Sequence, residues 1–290
     1  MNKLMRPIGV TTEEAAWKIK ARSHILLAYF VMAYAITWSI GGLRIFAPGL
    51  FRAFSRWPAL TNPLFYLAVY APALSALLLT AVLGGRAAMR KLFERFLPQR
   101  AAILWSLFIL IAYPLAGIAA GEITMLFGGP PLRFPNWLHF YSSLLPALFV
   151  DPGPLGEELG WRGFALPRML KRWPPMTASL TLGLIWGLWH LPAFFIAGLP
   201  QIRLALPALL LATISVSVID TWIFLRSNGS LLPMILVHLM TNHCLKMLGV
   251  SFGVSVAVGV VCAAAIVLSG GLRATSPERV KPTASAADPF

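Results

Sequence analysis

Residues 157–162 read Glu157-Glu158-Leu159-Gly160-Trp161-Arg162, and the apolar run around them, roughly 141–166, also holds Asp151, Pro152, Gly153 and Pro154. Three ionisable groups within six residues, set inside an apolar stretch, decide how the chain is read. In a soluble helix they would be an ordinary solvated face. Inside a membrane each would cost about 2.5–3.5 kcal/mol at the helix centre, so they must pair or serve a site.

The rest of the chain makes the membrane the expected solvent. Of 290 residues, 58% are hydrophobic and 12% are charged, against about 25% charged in soluble domains. A spanning helix needs about 20 mostly apolar residues. Runs of that kind fall at 25–45, 62–84, 102–126, 141–166, 177–197, 204–225, 229–248 and 250–268. The expectation is an all-α fold: a polytopic membrane bundle of about eight transmembrane helices, with an active-site cavity inside the membrane. Residues 1–24 form a cytoplasmic N-terminal segment, 25–268 the bundle with a catalytic core at 141–248, and 269–290 a disordered cytoplasmic tail rich in Pro, Ala and Ser. The first apolar run has no small-residue cleavage site after it, so it reads as a signal anchor.

Charge distribution gives orientation and excludes a partner class. The net charge is +14. The cations sit in short clusters between apolar runs, the signature of membrane-flanking loops, so nucleic acid is not an expected partner. The clusters at Lys3, Arg6, Lys18, Lys20 and Arg22, at Arg86, Arg90, Lys91, Arg95 and Arg100, at Arg168, Lys171 and Arg172, and at Arg273, Arg279 and Lys281 alternate with the spans. An even number of helices with both termini cytoplasmic satisfies them. Loop 85–101 is read as one of these basic connections. Cys244 and Cys262 both lie in apolar segments, which leaves no disulfide framework and no CxxC metal site.

The polar residues of the second half fall into three groups. Besides the 157–162 stretch there are Trp186-Gly187-Leu188-Trp189-His190 and His238-Leu239-Met240-Thr241-Asn242. Glu158 and Arg162 are i,i+4 and can pair along one helix face, while Glu157 points about 100° away toward another neighbour. His238 and Asn242 share the same spacing and are expected to face one space. At 1.5 Å per residue, Glu157 lies roughly 15 Å, His190 roughly 20 Å and His238 roughly 14 Å from the basic side, so the three can meet in one cavity. A carboxylate beside two imidazoles suits water activation, with Glu as general base and His and Asn as oxyanion donors. Equally, Glu157, His190 and His238 form a three-ligand set that leaves a fourth Zn2+ position open to water. Composition does not choose between these. His24, His139 and His243 receive no role, Glu122 is interfacial, and the Trp residues are read as interfacial and lipid-facing packing. Asp220 is an isolated acid to which the sequence assigns no chemistry.

The three groups resemble the motifs of the type II CAAX prenyl endopeptidase and bacteriocin-processing (abortive-infection, CPBP) family: Glu-Glu-x-x-x-Arg at Glu157 to Arg162, aromatic-x-x-x-His at Trp186 to His190, and His-x-x-x-Asn at His238 to Asn242. The second motif more usually begins with Phe, and Trp186 is read as changing bulk rather than chemistry. The resemblance covers roughly 141–245 and implies an intramembrane protease, described either as a metalloprotease or as a metal-free glutamate enzyme. It implies that Glu157 activates water with His190, that His238 and Asn242 support the oxyanion, and that Glu158 and Arg162 position them. The implied partners are a membrane-associated or lipidated protein or peptide substrate and the lipid bilayer. The compact chain, without elaborated loops, reads as prokaryotic, which places it as a multi-pass protein of the inner cell membrane. Two other functions compete: a non-catalytic bacteriocin self-immunity factor or scaffold, and a proton-coupled transporter, which the absence of an inverted repeat disfavours.

Overall fold

Every long apolar run of the sequence folds as helix, because a chain without water must satisfy its backbone N–H and C=O groups within each segment. A computed structural model describes residues 24–54, 62–132 and 134–273, and among them the protein is an all-α membrane helix bundle without strands. The expected cytoplasmic segment 1–24 and tail 269–290 lie outside the described residues, apart from His24 and 269–273.

The principal helices are α1 (Ile25–Phe46), α2 (Pro63–Val69), α3 (Ala71–Glu94), α4 (Arg100–Leu126), α5 (Leu144–Val150), α6 (Pro175–Trp189), α7 (Leu206–Arg226), α8 (Leu232–Leu248) and α9 (Phe252–Leu268). By length and composition five helices can cross a membrane: α1, α3, α4, α6 with the turn that continues it to Phe195, and α7. Helices α8 and α9 have 17 residues each, at the short end of what spans. Leu104, Leu107, Phe108, Ile111 and Leu115 of α4 all face outward. An apolar exterior of this kind is stable only against lipid.

Three expectations about the elements change. The run 62–84 is not one helix. Asn62 caps α2 by accepting from the Leu64 N–H at 2.9 Å, α2 ends at Val69, and α3 begins after Tyr70. The stretch 85–101, read as a loop, is largely helical: α3 runs on to Glu94 through a kink at Gly85, whose φ of +60° suits glycine. The run 141–166 is a chain of short pieces. After α5 come Gly153–Gly156, Glu158–Gly160, a π-helical turn at Trp161–Ala165, and Leu166–Leu170. Pro152 and Pro154 withhold backbone donors, and Gly153 and Gly156 weaken propagation, so a regular helix cannot run through.

Glycines set the closest helix contacts. A Cβ on Gly183 of α6 would lie 2.6 Å from the Ile214 Cα of α7, and one on Gly187 would lie 2.5 Å from Thr213 Oγ1. Gly183 and Gly187 are spaced as small-xxx-small, the pattern that lets membrane helices approach at backbone distance. On α4 a Cβ at Gly117 would lie 2.5 Å from the Leu248 side chain of α8. Helix α1 closes over α6: the Tyr34 hydroxyl donates to Ile185 O, the Trp38 indole to Trp189 O at 3.1 Å, and the Trp189 indole to Thr37 Oγ1 at 2.9 Å.

The basic clusters converge at one end of the bundle. Arg95 accepts from the Leu231 N–H at 2.9 Å and donates to Gly229 O at 3.1 Å, which joins the end of α3 to the start of α8. Arg226 at the end of α7 donates to Gly271 O at 3.3 Å, and Met176 of α6 packs with Leu272. Arg90, Lys91, Lys171, Arg172 and Arg273 therefore gather on the side of Arg95 and Arg226. The Pro200–Arg203 turn, which precedes α7, lies at the opposite end.

Candidate active site

The break in the 141–170 region builds the site. Asp151 ends α5 in extended backbone, and its Oδ1 accepts the Gly153 N–H at 3.2 Å, turning the chain back into helix two residues later. The Tyr66 hydroxyl of α2 donates to Val150 O at 3.0 Å and fixes the approach. Glu157 then falls at a junction between short helices, and the π turn at Trp161–Ala165 carries Arg162 inward. Such turns insert one residue and redirect side chains. Glu157 is 5% exposed, and Glu158 and Arg162 are fully buried.

Glu157 meets His190 across the site. The Glu157 Oε2 and His190 Nε2 atoms are 4.0 Å apart, too far for a direct hydrogen bond. His190 Nδ1 lies 2.9 Å from Trp186 O. A carbonyl only accepts, so Nδ1 carries the hydrogen and Nε2 is the nitrogen turned toward Glu157. The Trp186 indole N–H donates to Glu157 Oε2 at 2.5 Å. Trp186 therefore changes chemistry as well as bulk, since Phe at that position has no hydrogen to donate.

The other Glu157 oxygen opens toward Gly153 and His238. A Cβ on Gly153 would stand 3.2 Å from Glu157 Oε1 and 2.9 Å from His238 Nε2. Glycine leaves that space free, flanked by a carboxylate oxygen and an imidazole nitrogen.

His238 is held from behind. Its Nδ1 lies 2.8 Å from Glu158 Oε1, which also accepts from Arg162 Nη1 at 3.0 Å. Arg162 Nη2 lies 2.8 Å from Asp220 Oδ2 of α7. Arg162 also stacks over the Trp186 ring, 4.3 Å from its centroid. Asp220, isolated in the sequence, thus ends a buried chain Asp220–Arg162–Glu158–His238. An acid in one apolar helix requires a buried cation in another, and Arg162 was the cation already in view. That requirement is the signal that could have joined them.

Asn242 takes a place other than the shared face expected from its spacing. Its Nδ2 donates to Asp151 Oδ2 at 2.9 Å, and Lys246 Nζ reaches the same oxygen at 3.4 Å. Asn242 therefore holds the Asp151 turn that positions Gly153, while His238 turns toward Glu157 and Glu158. His243 packs away from the site, with Nε2 3.0 Å from Phe140 O.

A zinc ion held by Glu157, His190 and His238 would need three donor atoms about 2 Å from one point. The 4.0 Å between Glu157 Oε2 and His190 Nε2 and the capture of that oxygen by Trp186 do not make such a seat. Among the described residues no three His, Cys, Asp or Glu side chains gather to form one.

Comparison with known proteins falls on this region. Residues 135–244, which contain all six candidate site residues, match the family of type II CAAX prenyl endopeptidases, Rce1-like. Over this helical stretch the chain is similar to that family. It is 27% identical over 138 residues to a protein named CAAX prenyl protease 2 from Methanococcus maripaludis, covering 44% of this chain and 51% of that relative. The chain therefore spans about half the length of the curated relative it matches.

Proposed function

We propose that this protein is an intramembrane endopeptidase that cleaves membrane-associated or lipid-modified polypeptides with water activated by Glu157 and His190. The observation that carries the reading is the 4.0 Å gap between a buried carboxyl group and an imidazole whose Nδ1 is committed to Trp186 O and whose Nε2, in the neutral ring the scheme requires, is an acceptor. Two acceptors at that separation are bridged by a molecule with two hydrogens to donate, which is water.

In the reaction Glu157 takes one proton as the water oxygen attacks the scissile carbonyl carbon, while His190 Nε2 accepts the other hydrogen bond and aims the lone pair. The carbonyl oxygen gains negative charge beside His238 Nε2. Glu158 Oε1 at 2.8 Å from His238 Nδ1 favours an imidazolium there, which supplies an Nε2 hydrogen for the oxyanion. Collapse of the tetrahedral species breaks the C–N bond, and the proton held by Glu157 passes to the leaving amine. Asn242 supports this from a distance by fixing Asp151. The name of the archaeal relative, CAAX prenyl protease 2, supports a lipid-modified C-terminal segment as substrate class. The basic end of the bundle is the cytoplasmic side, by the excess of Lys and Arg there.

The test is cleavage of a quenched C-terminal peptide library by detergent-purified protein, wild type against Glu157→Gln, each with and without a chelator. Loss of a general base is expected to lower kcat about 10²- to 10⁴-fold while the protein stays folded. Wild-type activity that survives chelation supports the glutamate scheme, and activity that chelation abolishes overturns it in favour of a metal. A folded wild type that cleaves no peptide in the library favours a non-catalytic role.

A further inference from the structure

We propose that Asp220 of α7 is a positioning residue for this site, acting on His238 through Arg162 and Glu158. The inference rests on the proteolytic reading above and adds a residue that lies outside all three sequence motifs.

Arg162 faces an acid at both amino groups: Nη1 hydrogen-bonds Glu158 Oε1 at 3.0 Å, and Nη2 stands 2.8 Å from Asp220 Oδ2 as an ion pair without hydrogen-bond alignment. Both ion pairs are fully out of solvent, with side-chain exposures of 0–1%. Glu158 Oε1 is shared between Arg162 and His238 Nδ1, while Glu158 Oε2 has no hydrogen-bond partner among the described residues. That free oxygen is the alternative acceptor for Arg162. With the Asp220 carboxylate present, the guanidinium is stretched between two acids and Glu158 keeps Oε1 on the imidazole. Without it, a buried cation with one amino group unpaired turns to the nearest acceptor, takes Glu158 in a two-pronged pair, and draws it off His238. The titratable groups facing this chain are Glu157 and Asp151, which act on His238, and the phenols of Tyr29 of α1 and Tyr113 of α4.

The experiment compares wild type with Asp220→Asn in two readouts. The first is kcat and KM for the best library peptide. The second is the set of imidazole ¹⁵N NMR signals of His238 in histidine-labelled protein, assigned with His238→Gln. The expected result is a kcat at least about tenfold lower with KM within about twofold, together with displaced His238 signals, although Asp220 does not touch that ring. Unmoved His238 signals, or an unchanged kcat, overturn the proposal. A wild type that cleaves nothing, in a protein whose His238 signals still respond to Asp220→Asn, overturns the proteolytic reading and with it any role of Asp220 in catalysis. If Asp220→Asn does not fold, Asp220→Ser, which leaves room for a water, is read by the same two criteria.

Discussion

At the scale of single residues, the site is organised by who holds each hydrogen. His190 spends its Nδ1 hydrogen on Trp186 O, and Glu157 receives the Trp186 indole hydrogen at 2.5 Å. One residue thus fixes both partners of the proposed water-activating pair, through its backbone and through its side chain. Trp186→Phe keeps the backbone carbonyl and an aromatic face for Arg162, and removes the N–H together with part of the ring's bulk. A hydrogen bond to a charged acceptor contributes about 1.5–3 kcal/mol. The substitution is expected to lower kcat about tenfold with KM little changed, as measured on the same peptide library. An unchanged kcat would show that Glu157 is oriented by the break in the chain alone. The importance of Trp186 was half legible: its spacing to His190 marked a motif, but the direction of its indole N–H depends on a rotamer chosen by packing against Arg162, His190 and His238.

At the scale of elements, the bundle uses glycine to bring helices together and broken helix to bring chemistry inside. Helices α6 and α7 meet at Gly183 and Gly187, where a Cβ on Gly183 would stand 2.6 Å from the backbone of Ile214. Backbone does not give way as a side-chain end does. Gly183→Val should therefore force α6 and α7 apart, lowering stability by about 1–3 kcal/mol. Because α6 carries His190 and α7 carries Asp220, activity should fall with it, and thermal unfolding in detergent alongside the cleavage assay measures both. The broken helix was legible in part. Pro152, Gly153 and Pro154 marked 141–166 as a poor span, but composition does not say that the break is where the site forms. The same holds for Gly85, where non-helical backbone bends the chain and a second helical stretch follows in place of the expected loop.

At the scale of the whole molecule, the basic residues gather at the end where Arg95 meets Gly229 and Leu231 and where Arg226 meets Gly271. Arg90, exposed on the last turns of α3, and Arg203, at the far end before α7, are suitable reporters of orientation. In a background lacking Cys244 and Cys262, Arg90→Cys should react with an impermeant thiol reagent only from the cytoplasmic side, and Arg203→Cys only from the other. Labelling in the reverse sense would invert the topology.

The sequence by itself determined the solvent, the helical class and the side chains available for chemistry. Apolar runs too long for a soluble core and ionisable groups too costly to leave unpaired follow from composition and spacing alone. So did Glu157, Glu158, Arg162, His190 and His238 as a set, because i,i+4 pairs and depth along a helix are local properties. Only the tertiary structure decided that Asp220 completes the buried charges, that Asn242 braces Asp151, and that Trp186 holds Glu157. Each of those contacts joins residues from separate segments of the chain. They depend on which helix faces turn toward one another, and that is settled by the packing of α6, α7 and α8 around a broken helix, which no periodicity within a single segment records.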